Sequence, residues 1–82
     1  MILVDIYVPS TGNTYDFQLG EEVPIYSVIE EISEMIGQKE HCRILGDREK
    51  LMLCAMKDRK ILQKEDTLGQ CNIGNGESLM LV

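Results

Sequence analysis

Hydrophobic and polar positions alternate from the second residue onward. In ILVDIYV, Ile2, Val4, Ile6 and Val8 fall on one side, and Asp5 and Tyr7 on the other. A period of two marks a strand with one buried face. The cluster PSTGN follows, with Gly12-Asn13 suited to a tight turn at positive φ. Alternation resumes in TYDFQL, with Tyr15, Phe17 and Leu19 inward. These two runs predict an antiparallel β-hairpin.

The period changes in VPIYSVIEEISEMIG. Ile25, Val28, Ile29, Ile32, Met35 and Ile36 recur at the three- and four-residue spacing of one helix face. Pro24 suits the first helical position and Gly37 the residue just past the last. Glu21 and Glu22 sit near the positive end of the helix dipole, whereas Val23 is a weak N-cap. Glu30 and Glu34 give the helix an acidic back. Residues 38–50, QKEHCRILGDREK, form a polar connection with a small apolar plug at Ile44-Leu45. A turn of helix, a loop and a specificity element are all open readings for it. LMLCAM then predicts a strand, KDR a turn and KIL a short return strand. Turns at Asp66-Thr67-Leu68 and Asn75-Gly76 lead into SLMLV, a last strand with Leu79 and Leu81 inward.

The order is β-β-α-β-β-β. One amphipathic helix and about five short strands can share a core as a single sheet with the helix across one face. A right-handed crossover carries the chain over that sheet. The short, apolar last strand fits a central place beside the first. The expected class is therefore α+β: a β-grasp fold with a mixed sheet of four to five strands and one helix packed across it. Residues 1–82 form one domain, since a chain of this length buries only a little over ~60% of its unfolded surface.

Composition narrows the function. Hydrophobic residues make up 44% and charged residues 27%, as in a globular protein. No apolar run approaches the ~18 residues needed to cross a membrane. MILVDIYVP lacks a basic opening and is broken by Asp5, unlike a signal peptide. The expected location is the cytoplasm. The net charge of −6 would repel phosphate, so nucleic acid is not an expected partner. Residues 1–34 hold seven acidic side chains and no lysine or arginine, and all eight basic residues lie from Lys39 to Lys64. That division could steer a partner with a basic patch.

Candidate chemistry is sparse. Cys42, Cys54 and Cys71 are odd in number and widely spaced, which is not a disulfide framework. His41-Cys42 has no CxxC pair to complete a metal site. As sequence neighbours, the two are badly placed for a nucleophile and its base. Two-iron centres need four clustered cysteines. The glycines of IGNGES enter a strand rather than opening a phosphate-binding helix. The expectation is a non-enzymatic protein with no metal and no cofactor.

Several motifs carry a family resemblance. DTLGQCNIGNGESLMLV resembles the closing segment of ubiquitin-like proteins. The chain is most similar to the YukD/EsaB family of bacterial ubiquitin-like proteins. The shared features are Thr14-Tyr15-Asp16-Phe17, a proline-started helix at Pro24-Ile25 with Val28-Ile29, and the pattern Leu68, Cys71, Ile73, Asn75, Gly76. The resemblance implies an accessory component of a type VII (WXG100) secretion system. It implies docking to a membrane complex from the cytoplasmic side, without membrane insertion. The implied partner is the FtsK/SpoIIIE-type ATPase or another secretion component. Modifiers and sulfur carriers of this fold act through a C-terminal diglycine; the sequence closes on SLMLV, so conjugation is not expected. Two alternatives are a modifier or sulfur carrier acting by an unusual route, and a β-grasp scaffold of an unrelated complex.

Alternation also predicts a contact surface. With Leu51, Leu53, Leu79 and Leu81 inward, Met52, Cys54, Met80 and Val82 turn outward. Met52, Met80 and Val82 would form an apolar protein-binding patch rimmed by Lys57, Arg59 and Lys60. Methionine suits such a surface because it repacks easily. A hairpin strand at the sheet edge offers a second mode, strand addition or self-pairing into a homodimer.

Overall fold

The computed structural model describes residues 1–40 and 50–82; of Lys39 and Glu40 only the backbone is described. The elements run β1 (Ile2–Val8), β2 (Asn13–Leu19), α1 (Ile25–Glu40), β3 (Leu53–Ala55), β4 (Lys60–Ile61) and β5 (Ser78–Leu81). His41-Cys42, Ile44-Leu45 and most of the 38–50 connection lie outside the described residues.

The five strands form one sheet in the order β2-β1-β5-β3-β4. β1 pairs antiparallel with β2 and parallel with β5, and β5 pairs antiparallel with β3. The last strand is thus central beside the first, as its apolar character predicted. The hairpin register follows from its turn. The Val8 carbonyl accepts from the amides of both Thr11 and Gly12, at 3.1 and 2.9 Å. Gly12 takes φ +73°, a left-handed conformation that a Cβ would disfavour. Asn13 does not share it; it begins β2 and pairs with Val8. The Thr11 hydroxyl accepts from the Tyr15 hydroxyl at 3.0 Å and ties the turn to the sheet.

The inward residues of the strands and of α1 form one buried cluster, among them Val4, Ile6, Phe17, Leu53 and Leu79 from the sheet and Ile25, Val28 and Ile32 from the helix. Leu68 and Ile73 in the closing loop join it.

The helix departs from expectation at several points. Pro24 lies one residue before it, and its carbonyl accepts from Ser27 and Val28 at 3.0 and 3.1 Å, so it occupies the cap position. Val23 was a weak cap because capping comes from a distant loop. The amides of Ile25 and Tyr26 donate to the carbonyls of Asp66 and Lys64, at 2.8 and 3.1 Å. Glu21 and Glu22 lie outside the helix, before its cap, and the first turn holds no acidic residue. Gly37 does not end the helix. No proline follows, and Gln38, Lys39 and Glu40 are good helix formers, which outweighs the ~1 kcal/mol penalty of an internal glycine. Met35 is 46% exposed rather than buried. At ~100° per residue it lies about 80° from the centre of the buried stripe, at its margin. Ser33 is buried on the opposite flank, its hydroxyl donating to the Ile29 carbonyl at 2.7 Å. Glu30 and Glu34 are exposed as expected.

Candidate functional site

The face of the sheet turned away from α1 carries the outward side chains of every strand. The register aligns them in rows across the strands. Tyr7 on β1 pairs with Met80 on β5, Met80 with Cys54 on β3, and Cys54 with Ile61 on β4. At ~4.8 Å per strand this row spans about 14 Å. Met80 and Cys54, in its middle, are half-buried; Tyr7 and Ile61, at its ends, are exposed.

A shorter row lies beside the first. Met52 and Val82 exchange both backbone hydrogen bonds, at 2.7 and 2.9 Å, which continues the β3–β5 ladder beyond both named strands. Their side chains are 39% and 43% exposed. Met52, Met80 and Val82 therefore adjoin, as the alternation of LMLCAM and SLMLV predicted. Tyr7 and Ile61 were not singled out from the sequence. Tyr7 lay on the outward side of the first strand, but only its pairing with Met80 shows that it borders the patch. Ile61 sits in a two-residue strand, too short to display a period.

The three basic residues do not ring this patch. Lys60 pairs with Ala55, whose side chain is buried, so the pleat directs Lys60 toward the helix side of the sheet. Lys60 bears on the thiol of Cys71, which is partly buried and packed against the core cluster. Loss of solvent and the charge of Asp66 push that thiol's pKa up, and Lys60 opposes them. Lys57 and Arg59 lie at the β3–β4 turn, the far end of the face from Met52, and Arg59 takes φ +51°. Lys57 pairs with Glu77 at 3.6 Å. The surface is an apolar strip with positive charge at one end.

The β1–β2 side of the same face is acidic. Asp5 stands directly across from Asp16. The Asp5 amide donates to the Glu77 carbonyl on the β5 side, at 3.1 Å. Asp5 and Asp16 are therefore a non-hydrogen-bonded pair, the kind in which side chains approach most closely. A hydrogen bond with Asp16, some loss of solvent and the Asp16 charge together raise the Asp5 pKa above the ordinary 3.8. Among the described residues no cation pairs with either carboxylate.

Among the described residues no group of three or more histidine, cysteine and acidic side chains is placed to hold a metal ion. None of their helices is long and apolar enough to cross a membrane. What the geometry offers is contact: an apolar strip over β5 and β3, an acidic pair over β1 and β2, and open strand edges.

One helix across a mixed sheet of this order, with the opposite sheet face open, defines a ubiquitin-like protein. The chain belongs to the YukD family of the WXG100 protein secretion system (Wss), whose sequence profile matches residues 2–81. Among solved structures, the N-terminal ubiquitin-like domain of the 4931431F19Rik protein superposes with a TM-score of 0.75 at 26% identity, over 99% of this chain and 72% of that one. A de novo design based on ubiquitin gives the same TM-score at 21% identity, over 99% of this chain and 85% of the design, a likeness of fold alone. No curated protein matches the sequence.

Proposed function

We propose that this protein is a non-enzymatic, cytoplasmic adaptor of the WXG100 (type VII) secretion system, docking through its open sheet face to a protein of the membrane-bound machinery. Membership of the YukD family supplies the system. The observation that carries the docking mode is the continuous row Tyr7–Met80–Cys54–Ile61 with Met52 and Val82 beside it. An apolar strip rimmed by polar residues is how soluble proteins present a partner site. Its methionines can repack against a partner, and Lys57 and Arg59 at one end favour an acidic rim opposite them. The partner that fits this reading first is the secretion ATPase, with other components of the machinery next.

The test uses the purified protein and the purified ATPase of the same secretion system. Replacing Met52 and Met80 together by Asp should weaken their association at least tenfold, as loss of a central contact of ~1.4 kcal/mol or more would. Because neither side chain belongs to the buried cluster, the circular dichroism spectrum should not change. Undiminished binding by the folded double variant would remove this face from the interface.

A further inference from the structure

The opposite end of the sheet carries a feature independent of the apolar strip, a long free edge. β2 is an edge strand, seven residues long, whereas the other edge, β4, has two. Ile2, Val4, Ile6 and Val8 pair with Leu19, Phe17, Tyr15 and Asn13. Leu3 and Asp5 turn their backbone groups toward the β5 side, where they meet Asn75, Gly76 and Glu77. By the alternation of an antiparallel ladder, the amides and carbonyls of Thr14, Asp16 and Gln18 then point out of the sheet. All three residues are exposed, and among the described residues no partner engages these amides and carbonyls. Their side chains lie on the open face, with Asp16 against Asp5.

We propose that the free edge of β2 receives an extended strand from a partner protein, with a lysine or arginine of that strand placed across from Asp16. An unpaired edge of this length is a template for strand addition. The backbone alone would accept any strand, including a second copy of β2, and the carboxylates decide between them. Asn13–Leu19 is centred on Asp16, so antiparallel self-pairing with full overlap puts Asp16 opposite the Asp16 of the other copy. Asp5 stands behind each, and such a dimer would gather four carboxylates around one point. Like charges directly opposite are destabilising. A cationic side chain in that position instead relieves the repulsion already present between Asp5 and Asp16. Alternate residues of the incoming strand would lie on the helix side, next to Tyr15 and Phe17, so the fitting sequence alternates apolar and basic residues.

The probe is a capped peptide long enough to span β2 in which valine alternates with lysine, titrated into isotope-labelled protein and followed by NMR. Its amide shifts should concentrate at Thr14, Asp16 and Gln18, whose exchange with water should slow. Asp16→Asn should weaken binding about two- to fivefold, the range of an opposite-charge cross-strand pair, while Glu30→Gln on the helix back leaves it unchanged. A peptide with glutamate in place of lysine should not bind. Neither should the lysine peptide with every backbone amide N-methylated, which has the same charge but cannot donate to a ladder. Equal binding of the glutamate or N-methylated peptide, no shifts at the three amides, or full affinity of Asp16→Asn would each overturn the proposal. So would a dimer of the unliganded protein at neutral pH with those amides protected, since a second copy would then be the occupant. Failure of the Met52/Met80 variant to affect ATPase binding would leave this result untouched.

Discussion

Asp5 and Asp16 place a local cost on the exposed face of the sheet. The raised Asp5 pKa means that the folded protein holds this proton more readily than the unfolded chain. The favourable contribution is therefore complete below the ordinary value of 3.8 and is lost as pH rises through the higher folded value. Asp16→Asn should raise the melting temperature at neutral pH, and the gain should shrink as the pH falls toward 3.8; an equal gain in acid would show that repulsion is not its source. Alternation alone set Asp5 outward, and Tyr15 and Phe17 inward. It did not reveal the facing of Asp5 and Asp16, because register depends on turn length, and PSTGN admits several. The conformation of Gly12 selects one. Nothing lies within 4 Å of a Cβ built there, so Gly12→Ala meets backbone strain and no clash. It should lower stability by about 1 kcal/mol, read from the denaturation midpoint at unchanged m-value.

At the scale of elements, the helix was legible where its stripe was strong and illegible at its ends. Ile25, Val28, Ile29, Ile32 and Ile36 are buried as their spacing required. The N-terminus depends on Lys64 and Asp66, far along the chain, which no local pattern could show. That capping loop is itself held by a reciprocal pair. The Thr67 amide donates to the Gln70 side-chain oxygen at 2.9 Å, and the Gln70 amide to the Thr67 hydroxyl at 3.1 Å. This is a capping box over a single turn. Thr67→Ala should cost about 1 kcal/mol and, in hydrogen exchange, loosen the amides of Ile25 and Tyr26 along with its own loop. Loss of stability with unchanged exchange at Ile25 would separate the loop from the helix end. The strip was legible because outward Met52, Cys54 and Met80 alternate with inward residues along LMLCAM and SLMLV. The place of Lys60 was not, since only its pairing with Ala55 fixes the face to which it turns.

At the scale of the whole molecule, the charge division of the sequence becomes a division of the sheet. The acidic residues of β1 and β2 and the basic residues around β3 and β4 sit toward opposite edges, because strand order places the first hairpin at one end. The two proposed contacts fall at the two ends of that axis, so one molecule could bridge two partners. Native-state hydrogen exchange should grade the same axis. The amides of Ile6 and Leu79, on adjoining central strands, should exchange only through global unfolding, whereas Thr14, Asp16 and Gln18 exchange at nearly the free rate. Protection of those three in the isolated protein would mean that the β2 edge is already covered.

The parallel pairing of β1 with β5 has a further consequence, for the making of the protein. Asp5 meets Ser78, and the amide of Leu3 meets Asn75, 72 residues away. A ribosome adding ~5–20 residues per second takes several seconds to travel that distance. Throughout that interval the middle strand of the sheet is missing, and Val4, Ile6 and Phe17 have no complete core to enter. A hairpin formed before β5 has two open edges, with Asp5 and Asp16 on one of its faces. Like charges set opposite one another disfavour strand pairing, so those carboxylates oppose the association of two such hairpins through β2 before β5 arrives.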